Sequence, residues 1–283
     1  MSIALNPTES ISCRSEYAPL ARVIVCGPQY MSISEVINET QRHYARENIN
    51  RRLASAQHKE FVRVLRNQGV EVVELPPDQQ YPEQVFTRDI GFTIDSTVFL
   101  STMGSAIRKG EEEILKKWLI SQKAMMQQLP DTKIEGGDVI TDRDKVFVGV
   151  SGRTSDISIH TLRNHLPEKN VMGIPFDKKY LHLDCVFNIL SPREALIYPP
   201  AFQKKELDLL SKMYDTMEVS KEEQFTLGTN VLSIGNKKIF SLPFNKKVNS
   251  KLRERGYEVI EVDLSEIIKS GGSFRCCTLP LVR

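Results

Sequence analysis

The chain has 283 residues, of which 40% are apolar and 26% charged, with a formal net charge of +2. These are ordinary proportions for a globular protein able to bury a sizeable core. Basic residues are scattered among acidic ones, as in RKGEEEILKK, which reads as a solvated helix face. That pattern leaves no footprint for nucleic acid, and no apolar run approaches the ~18 residues of a membrane span. The five cysteines are odd in number and form no C-x-x-C, and the N-terminus MSIALNPTESISCRSE has no basic or apolar leader region. Reduced thiols in a cytoplasm are expected, with little support for a zinc site.

In chain order, ARVIVCG predicts a first strand, and Phe61, Val64 and Leu65 a helix that ends at Gly69. The pair GFTID and STVFL then reads as a hairpin, followed by a helix with an apolar stripe of Ile114, Leu115, Trp118 and Leu119. DVITDRDKVFVGV is a second hairpin, followed by a helix striped by Ile159, Leu162 and Leu166. CVFNILSPREALIY is a third, followed by Leu207, Leu210 and Met213 on one helix face. NVLSIGNKKIFSL is a fourth, followed by Val248 and Leu252 on a helix expected to be capped by Asn245 and closed by Gly256. TLPLV is the last apolar run.

A polar residue stands at each hairpin entrance: Asp89, Asp138, Asp184 and Asn230, with Cys276 in the equivalent place before TLPLV. The intervals are 49, 46, 46 and 46 residues, which indicates a repeated supersecondary unit. Five strand–strand–helix–strand units follow, the first strand completing a unit with the C-terminal segment. Five such blades around an axis would aim their entrance residues at one centre; an open mixed α/β sheet is the alternative. No Gly/Ser-rich linker interrupts the chain, so residues 1–283 are expected to form a single domain.

Taken locally, each chemical candidate has a plain structural reading beside the functional one. Cys276 follows two glycines and sits beside Arg275, a cation that favours a thiolate; most free cysteines are nevertheless buried apolar residues. His182 and Asp184 in KYLHLDCVFNIL would face one side of a strand, or His182 is a hydrogen-bonded core histidine. Glu135 and Asp138 in KIEGGDVI, and Asp89 in VFTRDIGF, lie at strand boundaries where acids are otherwise exposed. Together they describe a pocket with a nucleophile, a proton carrier and carboxylates. Such carboxylates, if buried, need a cation. A planar guanidinium matches paired carboxylates bidentately and offers an electrophilic carbon to a thiolate.

The ordered segments EYAPLARVIVCGP, VFTRD, RKGE, EGGD, VGVSGRT, HLD and GGSFRCCTLPL resemble the guanidino-group-modifying (amidinotransferase) superfamily over essentially the whole chain. That superfamily includes arginine deiminase, dimethylarginine dimethylaminohydrolase and amidinotransferases. The resemblance implies a five-bladed α/β propeller (pentein) and a cysteine-dependent hydrolase that needs no cofactor or metal. It implies Cys276 as nucleophile, His182 as general acid/base and Glu135 as the acid orienting it. It further implies Asp89 and Asp184 as carboxylates gripping the guanidinium, and Arg108 and Arg153 as arginines binding a substrate carboxylate. Cys277 receives no role.

The length resembles the dimethylarginine hydrolases, while T-R-D and H-L-D resemble the deiminases. A carboxylate at Asp184 favours an unmethylated terminal nitrogen. Against arginine, Glu83 after Pro82 stands where the deiminases have Asn, and facing the ligand's α-carbon end it would disfavour a carboxylate, so the guanidine substrate stays open. The expected partner is a small-molecule guanidine, not nucleic acid or membrane, with homo-oligomerisation left open. The rival functions are an amidinotransferase using the same residues, a non-catalytic binding propeller, and, with hardly any support from spacing, a zinc protein using Cys276, Cys277 and His182.

Overall fold

The computed structural model describes residues 11–129 and 132–283; the stretch 1–10, part of the N-terminus read for a leader, lies outside them. Along the chain, the first unit holds β1 (Arg22–Cys26), α1 (Glu39–Tyr44), α2 (Arg51–Asn67) and β2 (Glu71–Leu75). The second holds β3 (Gly91–Ile94), β4 (Thr97–Leu100), α3 (Glu112–Ser121) and β5 (Met126–Gln128). The third holds β6 (Val139–Asp142), β7 (Lys145–Val150), α4 (Asp156–His165) and β8 (Asn170–Pro175). The fourth holds β9 (Phe187–Ile189), β10 (Glu194–Ile197), α5 (Lys204–Met213) and β11 (Asp215–Glu218). After α6 (Lys221–Phe225), the fifth holds β12 (Leu232–Gly235), β13 (Lys238–Ser241), α7 (Lys246–Glu254) and β14 (Glu258–Glu261), and β15 (Leu279–Val282) ends the chain.

These strands make five three-stranded sheets, and every sheet has the same wiring. In each, an antiparallel pair is joined by a parallel third strand that returns through a helix. The first unit takes its missing strand from the far end of the chain: β15 pairs antiparallel with β1, Ile24 opposite Leu279. The five-bladed ββαβ architecture expected from the 46-residue interval is thereby observed. The hairpin turns carry the residues that tolerate positive φ, such as Asp95 at 49° and Asn236 at 50°.

Burial grades along each blade. The strands that open the hairpins, β3, β6, β9 and β12, are fully buried. The third strands β2, β5, β11 and β14 alternate or lie exposed, with charged or polar side chains that blunt the open edge. The apolar faces of the helices pack outside the sheets: Phe61 and Leu65 of α2, Leu115 and Leu119 of α3, and Leu162 of α4 are fully buried.

Two local expectations change. Asn245 stands at the start of α7, yet its Oδ1 accepts from Thr226 Oγ1 rather than from the helix. The Glu223 carboxylate of α6 instead accepts from the Lys247 and Val248 amides at 2.7 and 2.9 Å. A side chain from the preceding helix reaches those unpaired donors, and so releases Asn245. In RKGEEEILKK, Arg108 and Glu111 are buried and paired and Leu115 is buried, so the solvated face is narrower than expected.

Candidate active site

Each inner strand is preceded by a tight turn, formed by residues 87–90, 136–138, 183–185, 226–229 and 274–277. Asp89, Asp138, Asp184 and Cys276 lie within theirs, and Asn230 directly follows its own. The sequence expected His182 and Asp184 to share one face of a strand. Instead His182 is extended, Leu183–Cys185 forms a 3-10 turn and the strand starts only at Phe187. Period-two alternation therefore fails here, and the two side chains take different partners.

His182 Nε2 lies 2.7 Å from Glu135 Oε2, and its Nδ1 lies 3.5 Å from Asp89 Oδ1 without a hydrogen bond. Burial alone would lower the ring's pKa, but the carboxylates of Asp89, Glu135 and Asp138 outweigh it and hold it at about 10. Glu135 is likewise pushed up by burial but pulled down further by His182, Arg108 and Arg153, to about 2. The other Glu135 oxygen accepts from the Gly104 amide at 2.8 Å and from Arg153 Nη1 at 3.4 Å. Gly137 is needed beside this pair: a Cβ there would lie 2.6 Å from His182 Nδ1 and 2.9 Å from Asp89 Oδ1.

Asp138 is spent on structure. It accepts from the Leu183 amide at 2.9 Å and from Ser151 Oγ at 2.6 Å, fixing the turn after His182, and burial raises its pKa to about 6. Asn230, the fourth equivalent, accepts from the Cys276 amide at 3.1 Å and the Ser273 amide at 3.3 Å, and donates to the Asp184 carbonyl at 3.3 Å.

The Cys276 thiol faces the Asp184 carboxylate, with sulfur 3.7 Å from Oδ2 and 3.9 Å from Oδ1. The Cys185 thiol meets the same Oδ1 at 3.6 Å, and its pKa is driven well up by the Cys276 thiol and by burial. Cys277 is fully buried, and burial likewise raises its pKa. Arg275, expected to act on its neighbour, shares Asp184 Oδ2 with the Cys276 thiol. It donates to Asp184 Oδ2 at 2.6 Å, to Glu16 at 3.1 Å and to the Val139 carbonyl at 2.8 Å.

Arg108 donates to Asp89 Oδ2 at 2.6 Å and to Glu111 at 2.8 and 3.0 Å, and is fully buried. Arg153 touches Glu135 and, at 3.2 Å, the Ile37 carbonyl. Both arginines thus lie against the acids of the cluster. Glu16, Glu111 and the segment 37–41 were missed as neighbours of this cluster. Glu111 was open to a local reading, since it pairs with Arg108 three residues before it in RKGE, whereas Glu16 meets Arg275 across 259 residues and no local pattern reveals it. Glu83 accepts from Gln41 of α1 at 2.8 Å and from Ser270 at 3.0 Å, so α1 lies against the site as a cover.

Asp89, Glu135 and His182 also form the group among the described residues whose ligand atoms could reach one metal ion, all within 4.8 Å. Two guanidinium groups already meet these acids, Arg108 on Asp89 and Arg153 on Glu135. Chemically, the cluster offers a thiol, a carboxylate-bound imidazole and carboxylates for a flat cation. No helix among the described residues is long and apolar enough to cross a membrane.

This five-bladed ring is the fold of the guanidine-modifying enzymes, whose solved members it matches over nearly its whole length. The family model described as "N,N dimethylarginine dimethylhydrolase, eukaryotic" matches residues 27–283, and the chain belongs to that family. It is 55% identical over 271 residues to the uncharacterized protein YkgA of Bacillus subtilis, covering 96% of this chain and 95% of that one. It is 25% identical over 267 residues to the N(G),N(G)-dimethylarginine dimethylaminohydrolase of Mycobacterium tuberculosis, covering 92% and 85%. Among solved structures, the substrate-bound N-terminal domain of ArgZ, a cyanobacterial arginine dihydrolase, superposes with a TM-score of 0.85. The identity there is 25%, and the match covers 93% of this chain and 98% of that one.

Proposed function

We propose that this protein hydrolyses the guanidinium carbon of a small guanidine through a covalent intermediate on Cys276. The Cys276 thiolate attacks that carbon while Asp89 and Asp184 hold the flat cation. The carbon–nitrogen bond breaks, the departing amine or ammonia takes a proton from His182, and an S-alkylthiouronium remains. Water then gives a proton to His182 and adds to the carbon. The carbon–sulfur bond breaks, leaving a ureido product and free Cys276. Glu135 keeps the ring oriented and cationic for the first step, and residues 1–283 act as one catalytic unit in the cytoplasm.

The observation that carries this reading is the burial of a thiol against Asp184 in the same cluster as the His182–Glu135 pair and Asp89. Relatives named for dimethylarginine and arginine hydrolysis add support. Asp184 can accept from two unsubstituted N–H groups, which favours a guanidine with at least one unmethylated nitrogen. The test is a panel of arginine, methylated arginines and simpler guanidines, with ureido product followed for wild type and Cys276→Ser. Turnover by wild type alone is expected. No turnover of any guanidine, or equal turnover by the Ser variant, overturns the reading.

A further inference from the structure

Resting on that reading, we propose that the enzyme takes a guanidine whose substituent is an apolar chain ending in an anion, held in a cavity on the fourth- and fifth-blade side of Cys276. The cavity measures about 210 Å³ and none of the seven residues implied for catalysis or substrate binding lines it. Cys185 lines it and reaches the reaction centre, its sulfur lying 3.6 Å from the Asp184 oxygen that Cys276 also meets. Gly271 lines it too, next to Gly272, where an added Cβ would come within 2.9 Å of Cys276 Cβ. A guanidinium bound at Asp184 therefore has this space within one side chain's reach.

The chemistry of the walls selects the chain. Leu181, Cys185, Tyr198, Phe225 and Leu227 supply apolar surface, and Gln224 has its amide turned to the Cys185 carbonyl at 3.3 Å. No buried carboxylate lines the space, so a second cation inside would lose hydration without an acid to meet it. At the mouth the charges differ in how they are already spent. Glu39 faces Arg42 at 3.6 Å and Lys179 faces Asp177 at 2.8 Å, while no acidic side chain pairs with Lys221 among the described residues. An anion at the end of the chain would meet Lys221.

The first turn of α1 roofs the cavity, and the helix rests on its far wall through Tyr44 and His43 against Phe225, with ring centroids 6.4 and 5.2 Å apart. Arg108 and Arg153, neither of which lines the cavity, are held by Asp89, Glu111 and Glu135. The tail is thus offered one partner that is not already paired.

The test compares three chains of similar length: 5-guanidinopentanoate, agmatine and pentylguanidine. Turnover is read on wild type and Lys221→Glu, and affinity by calorimetry on Cys276→Ser with and without Lys221→Glu. We expect the guanidino acid to be favoured over agmatine at least tenfold in both kcat/KM and Kd. Lys221→Glu should cut that ratio at least fivefold while leaving the melting temperature within about 2 °C. The preference should weaken with added salt, because the mouth is solvated. Equal use of the three, or an unchanged ratio in Lys221→Glu, overturns the tail site even if turnover is fast. Selective binding without turnover supports the tail site and defeats the hydrolase reading instead. Failure of all three to bind overturns the tail site alone, because the hydrolase reading is decided separately on arginine and its methylated forms.

Discussion

At the residue scale, the His182–Glu135 pair decides when the site is charged. Burial opposes a cationic ring, and three carboxylates overcome it to hold the group at about 10. Replacing Glu135 with Gln removes one of those charges and the 2.7 Å acceptor together. The ring should then lose its proton at lower pH. We predict that Glu135→Gln moves the basic limb of the kcat/KM profile downward and lowers the rate by about 10²–10⁴-fold, the usual worth of a positioned acid/base. Following ureido product between about pH 6 and 10 would check this. A basic limb that stays in place would show that another group sets it.

At the element scale, the repeated turn is the device that matters, and its five versions have diverged in use. Asp89 meets Arg108, Asp184 meets Arg275 and the thiol, Asp138 braces the His182 turn, and Asn230 braces the cysteine turn. Asn230→Ala would strand two buried amides, each worth about 1–3 kcal/mol when left unpaired. We expect it to lose about 2–4 kcal/mol of stability in urea titration, and to lose activity beyond what that instability explains. Asn230→Asp keeps the acceptor and should recover part of the stability. A loss below about 0.5 kcal/mol for the Ala variant would mean that the turn holds itself. The repeat was legible because strand alternation, turn residues and helix stripes are local. The alternation misled only at His182, where the helical turn that seats the side chain contains no Gly or Pro to announce it. The capping of α7 was misjudged for a related reason, since Glu223 reaches its donors from a different helix.

At the scale of the whole molecule, the ring is closed twice: by β15 on β1, and by Gln41 of α1 on Glu83 and Ser270, which lie just ahead of the first and last turns. The first closure could be read from the sequence, because ARVIVCG lacks a hairpin partner and TLPLV lacks a blade. The second could not, because Gln41, Glu83 and Ser270 carry no pattern and meet only across the assembled ring. Glu83 is the member with a thermodynamic signature. It is fully enclosed, and burial, opposed by Arg108 and aided by Glu111, raises its pKa to about 8 from an ordinary 4.5. Between those values the folded protein keeps a proton that the unfolded chain has released. Stability from this group is therefore complete below about pH 4.5 and is lost as pH rises through about 8. Glu83→Gln keeps a neutral side chain of the same size and has no proton to lose. The difference in unfolding free energy, variant minus wild type, should rise with pH across that window by at most about 1.4 kcal/mol per unit, then level off. Taking the difference removes the common contributions of His182 and Asp138. Urea titrations at several pH values would measure it. A flat difference would mean that Glu83 is already ionised in the folded ring, with Arg108 compensating the charge.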